Sequence, residues 1–299
     1  MKIKIPCSTS NLGPGFDTLG LALNRYLFLS AEESNGLTIT VEGNGKDHIA
    51  TDSTNLVYAA MAATALKVGR TLPTIHLQIT NGVPAYGGLG GSGAAIAGGV
   101  FLADQLLKIG LSRDEMLNIA VEIEGHPDNV SAAIFGGLTI NCFDAERKVH
   151  CTSVKIDSKL SVVACSPHFQ VQTKEARKIL PQQVSLKDAV TNIENAASLV
   201  AAMMNGNYDA LRYVTAERLH EQYRATLIPG YAEVKKAALE AGALSFNISG
   251  AGPTVFAFAV SNQQQIADAM VQNFAHAGKQ ATAEIMIVEN AGAQLVSPR

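Results

Sequence analysis

Apolar positions along the 299 residues fall into short runs and long ones. Short runs rich in β-branched and aromatic residues predict strands over 2–5, 26–31, 36–41, 74–79, 137–142, 149–156, 161–165, 243–248, 255–260 and 283–288. Longer patterns between them predict helices over 54–68, 92–108, 113–124, 127–134, 185–205, 207–223, 230–241 and 262–276. The third of these opens on Ser112-Arg-Asp-Glu115, a capping-box start. Strands and helices do not alternate strictly, which predicts an α+β class rather than a doubly wound sheet. The polar stretch 143–160 precedes a new strand, so two domains are expected, 1–153 and 154–299. No repeat or low-complexity segment interrupts the pattern.

Composition narrows the function classes. The net charge is −3 and only 16% of residues are charged, so no basic face is expected for nucleic acid. Residues 79–103 carry no charge, but eight glycines fall between 82 and 99, and the continuously apolar part is only about 94–103. That is too short to cross a bilayer, and no membrane association is expected. Cys7, Cys142, Cys151 and Cys165 form no CxxC pair and the N-terminus has no secretory apolar region. They are expected as reduced thiols of a soluble cytoplasmic protein.

Sixteen of the 26 glycines lie in four windows: 13–20, 82–99, 125–137 and 250–252. Glycine is needed where φ is positive or a ligand must approach the backbone. The densest window reads PAYGGLGGSGAA over 84–95 and leads into an apolar helix. Converging amides and the helix N-terminus would make an anion cradle there. Gly88-x-Gly90-x-x-Gly93 also has the dinucleotide-binding spacing. It fails on context, because seven residues separate the strand ending at Ile79 from Gly87, where the glycines begin, and Asp114 and Glu115 open a helix rather than ending a strand. There is no GxxxxGK[ST] loop either.

A second constellation, EIEGHPDN over 122–129, should stop a helix at Gly125 and start another near Pro127. Asp128 and Asn129 then lie at a helix start beside His126. Glu122 shares a helical face with Glu115 and Asn118. The third and fourth are the turns SNLGPGFD over 10–17 and SGAGPT over 249–254.

Together and in this order, these four stretches resemble the GHMP kinase family, named for galacto-, homoserine, mevalonate and phosphomevalonate kinases. The nearest likeness is to the members that phosphorylate homoserine. TKEAR over 173–177 and QYR over 222–224 look like segments of those members. In the P-x-x-x-G-L-G-S-S-A-A motif of the family the first serine is replaced here by Gly91, and the following alanine by Gly93. The resemblance implies a two-domain GHMP fold, with an N-terminal domain like ribosomal protein S5 domain 2 and a ferredoxin-like C-terminal domain. It implies ATP and Mg²⁺ as cofactors, L-homoserine as the acceptor in threonine biosynthesis, and a homodimer as a plausible assembly.

The resemblance also assigns roles. Pro84, Ala85, Tyr86, Gly87, Gly88, Leu89, Gly90, Gly91, Ser92, Gly93 and Ala94 would hold the nucleotide phosphates, and Asn55 would lie near the adenine. Ser92 and Glu122 would hold Mg²⁺, with Glu124 taking over if the helix register turns Glu122 outward. Asp17 suits an ammonium and Arg224 a carboxylate, with Asn11, His126 and Gly250 beside them, while Arg177 suits the transferred phosphate. Asn129 would orient the hydroxyl without taking its proton, and Asp128 competes for that position. Two other readings stay open: a GHMP kinase for another small alcohol, and a kinase-like binding protein without turnover.

Overall fold

Chemistry and packing divide the chain between two sheets. The computed structural model describes residues 1–84, 87–214 and 216–296. The first part contains β1 (Lys2–Ser10), β2 (Leu19–Glu33), β3 (Thr38–Gly43), α1 (Leu56–Lys67) and β4 (Ile75–Asn81). It continues through α2 (Gly91–Leu107), α3 (Arg113–Glu124), α4 (Asp128–Phe135), β5 (Leu138–Phe143) and β6 (Val149–Val154). The second part begins with β7 (Ser161–Pro167), α5 (Thr173–Lys178), α6 (Leu186–Met204), α7 (Glu221–Arg224) and α8 (Tyr231–Glu240). It ends with β8 (Ser245–Ile248), β9 (Val255–Ala259), α9 (Gln263–His276), β10 (Ala281–Ile287) and β11 (Gln294–Val296).

The first sheet runs β11-β1-β2-β4-β3, with β5 on β2 and β6 on β5. α2 and α4 pack on β1 and β2, and α1 and α3 pack on α2. The second sheet runs β10-β7-β9-β8. With α8 and α9 its order is β-α-β-β-α-β, the ferredoxin-like arrangement. Its central strands are buried on both faces. Val162, Ala164, Phe256 and Phe258 join the core of the first sheet, while Val163, Cys165, Val255 and Ala257 join a second core beneath α8 and α9. The two halves therefore share one continuous apolar interior.

Three expectations change. The predicted helix over 207–223 is broken: among the described residues it holds a 3₁₀ turn, Tyr208–Tyr213, an irregular stretch over 216–220 and the four residues of α7. The Glu217 carboxylate accepts the amides of Leu219, His220 and Glu221, so a side chain does what helical carbonyls would otherwise do. The C-terminal unit expected over 154–299 loses its end to the first sheet, because Lys2 pairs with Val296 and Lys4 with Gln294. Finally, β2 begins at Leu19 rather than near 26, since its first five residues are buried on both faces and carry no alternation.

Among the described residues no helix is long and apolar enough to cross a membrane. All four cysteines are free. Burial pushes the Cys7, Cys151 and Cys165 thiols up to about 12, so they are protonated and packed.

Candidate active site

A cleft of about 540 Å³ opens where the two sheets meet, and the four glycine-bearing stretches converge on it. At one end, Gly87 and Gly88 take φ of 89° and 86°, and Gly90 caps α2 at φ 65°. The first amides of α2 have no acceptor within the helix and lie at its positive end. The second sheet holds this loop in place, as Ser249 Oγ donates to the Gly88 carbonyl and Thr254 Oγ1 to that of Gly87. Ala85 and Tyr86 lie outside the described residues. The backbone fits a polyphosphate.

Ser92 Oγ donates to Glu124 Oε1 at 2.7 Å, bringing two hard oxygen ligands to the start of α2. Glu122 points away: its side chain is 60% exposed and paired with Lys67. Of the two carboxylates expected as alternatives for the metal, the structure brings Glu124 rather than Glu122 to Ser92. The reason is register, because Glu124 continues the buried face of Leu117, Ala120 and Val121 at spacings of seven, four and three. Two oxygens at an anion-binding helix start suit a small divalent cation of the Mg²⁺ kind.

The two departures in the loop differ in kind. A side chain on Gly91 would meet nothing within 4 Å, whereas a Cβ on Gly93 would lie 2.7 Å from Asn129 Cβ. Gly91→Ser is expected to leave thermal stability and turnover close to those of the unaltered protein. Gly93→Ala is expected to cost about 1–3 kcal/mol of stability, read by urea unfolding, because it must push Asn129 off its place.

Asn129 is fixed at both ends of its amide. Its Oδ1 accepts from Ser8 Oγ at 2.9 Å and its Nδ2 donates to Ser10 Oγ at 3.0 Å. Asp128 is 2% exposed, and its Oδ1 accepts from His126 Nδ1 at 2.6 Å and from the Asn129 amide at 2.8 Å. Burial alone would lower the His126 pKa, but the hydrogen bond and charge of Asp128, with Glu124 nearby, raise it above the usual imidazole value. The pair's contribution to stability is then full below about pH 6.5 and lost as pH rises through the higher folded value. The stability difference between the unaltered protein and His126→Gln, measured by urea unfolding, is expected to narrow as pH rises above about 6.5.

At the other end, the turn after β1 places Asn11, Leu12 and Asp17 at positive φ. Asn11 Oδ1 accepts the Asp17 amide and Asn11 Nδ2 donates to the Gly250 carbonyl, so Asn11 shapes the turn and joins it to the second sheet. Gly250 O also accepts from Arg224 Nη1 at 2.8 Å. Asp17 and Arg177, expected on different parts of the substrates, form a bidentate pair at 2.8 and 2.9 Å. Ligand atoms of Asp17, His126 and Asp128 lie within 4.8 Å of one another.

Arg224 is 2% exposed and lines the cleft, yet it forms no ion pair among the described residues. Asn55 also lines the cleft, but it caps α1 through Oδ1 and donates to Ala50 O through Nδ2. Its amide oxygen is thus committed to the helix start. Residue patterns gave no role to Phe16 or His220, whose rings stack at 5.1 Å behind the two arginines. An aromatic and a histidine 204 positions apart carry no local signal.

A glycine-built anion cradle, a carboxylate–hydroxyl pair at a helix start and a separate pocket of opposite charges describe a small-molecule phosphotransferase. The chain belongs to the GHMP kinase family, matching the GHMP kinases N terminal domain over 55–137 and the GHMP kinases C terminal domain over 187–276. It is 40% identical to a homoserine kinase of Moorella thermoacetica over 294 residues, 98% of this chain and 99% of that one. A homoserine kinase of Desulfitobacterium hafniense is 37% identical over 99% of this chain and 100% of its own. Among solved structures, homoserine kinase from Cytophaga hutchinsonii matches with a TM-score of 0.87 at 30% identity, covering 99% of this chain and 97% of that chain.

Proposed function

We propose that the protein transfers the γ-phosphoryl group of ATP to the side-chain hydroxyl of L-homoserine, giving O-phospho-L-homoserine and ADP, as a cytoplasmic step of threonine biosynthesis. The observation that carries this reading is the presence of both Arg224 and Asp17, not paired with each other, in one cleft beside the anion cradle. A buried guanidinium without a carboxylate suits a substrate carboxylate. Asp17, with Asp128 close by, suits an ammonium. A zwitterionic amino alcohol uses both, whereas a sugar or mevalonate uses at most one.

The roles follow from position. The 87–92 backbone and the start of α2 receive the phosphates. Ser92 and Glu124 would hold Mg²⁺, which when bound supplies charge neutralisation on the phosphates. Arg177 is the cation available to the transferred phosphate once the substrate ammonium competes for Asp17. Asn129, pinned between Ser8 and Ser10, fixes the corner against which the hydroxyl is oriented, and Asp128 Oδ2 is left without a hydrogen bond among the described residues. Catalysis then rests on positioning and charge more than on a dedicated base.

Release of ADP from Mg-ATP, followed over homoserine, mevalonate, galactose and shikimate, tests this. Turnover confined to homoserine is the expected result. Preferred turnover of another alcohol would overturn the substrate, and tight ATP binding with no turnover would overturn the activity.

A further inference from the structure

The hydrogen-bond partners of Arg224 are all neutral, although the charges of Arg177, Asp17, Asp128 and Glu217 lie near it. Its Nε donates to Ala176 O at 3.2 Å and its Nη1 to Gly250 O at 2.8 Å. The same Nη1 lies 3.5 Å from His220 Nδ1, and the guanidinium carbon is 5.2 Å from the centre of the Phe16 ring. His220 is fully buried, and its Nε2 is 2.9 Å from the Gly13 carbonyl. A carbonyl can only accept, so Nε2 carries the proton and Nδ1 presents its lone pair towards Arg224. Burial, and then the Arg224 charge, push the His220 pKa down to about 3, so the ring stays neutral beside the cation. Phe16 stacks on that ring and also meets Arg177 at 5.6 Å.

We propose that His220 is a positioning residue for the substrate carboxylate: with the ring of Phe16 it holds the Arg224 guanidinium in place without neutralising it. The inference rests on the assignment of Arg224 to that carboxylate. An acid at 220 would hold the arginine equally well but would spend its charge inside the protein. An imidazole lone pair, two carbonyls and an aromatic face fix its geometry and leave the full charge for the ligand. The tie from His220 to Gly13 also fixes the pocket relative to the turn that carries Asp17.

Steady-state kinetics separate this role from a purely structural one. The substrates are homoserine and 3-aminopropan-1-ol, which is homoserine without its carboxylate. His220→Glu is expected to raise KM for homoserine about ten-fold or more, with KM for ATP and kcat/KM for 3-aminopropan-1-ol little changed. His220→Gln, which keeps one donor and one acceptor, is expected to stay near the unaltered protein. Phe16→Leu carries the same test should His220→Glu not fold, with an expected rise in homoserine KM of about three-fold. An unchanged homoserine KM in folded His220→Glu or Phe16→Leu, or equal losses on both alcohols, would overturn the role of His220. Unaltered protein that turns over neither alcohol would instead overturn the homoserine reading beneath it.

Discussion

Arg224→Met is expected to lower kcat/KM for homoserine by about a thousand-fold, most of it in KM for homoserine. The side chain is buried, so its loss takes the guanidinium from a substrate carboxylate that has left water and sits near the carboxylates of Asp17 and Asp128. Arg224→Lys is not expected to restore activity. A lysine cannot donate to Ala176 O and Gly250 O from a planar fork while also facing a carboxylate. Steady-state kinetics with homoserine varied at saturating ATP give the measurement. Retention of the normal homoserine KM in Arg224→Met would remove the carboxylate assignment.

The second large effect concerns the metal. Glu124→Gln is expected to reduce kcat about a hundred-fold and to move magnesium activation to higher concentration. Glu122→Gln, two residues away, is expected to leave both nearly unchanged, because that side chain is exposed and bound only to Lys67. The contrast is informative because both changes remove one negative charge from the same helix. A magnesium titration of activity in the two variants decides between them. Equal effects would mean that the carboxylate acts through general charge rather than as a ligand.

How far this could be read beforehand differs from element to element. The four glycine-bearing stretches were visible because each needs residue types that few other structures need. The choice between Glu122 and Glu124 was also legible, since the buried face of α3 at Leu117, Ala120 and Val121 points on to Glu124. The polar face shared with Glu115 and Asn118 leads instead to Glu122, which lies away from Ser92. The long β2 was not legible at its start, because burial on both faces removes the alternation by which strands are recognised. The broken stretch after α6 was hidden for another reason: the Glu217 carboxylate replaces helical acceptors, and no periodicity records that. The Asp17–Arg177 pair joins residues 160 positions apart, and Phe16 meets His220 only through the docking of the two halves. Local sequence pattern carries no information about such meetings.

The bolts from Ser249 and Thr254 to the glycine loop span 161 and 167 residues of chain. The nucleotide cradle is therefore braced from the other half of the molecule and is not a purely local motif. A fragment ending after β6 would contain the whole phosphate-binding sequence without the two hydroxyls that hold it open. A ligand held in that cradle lies against a loop braced by both halves, so its binding energy counts against their separation.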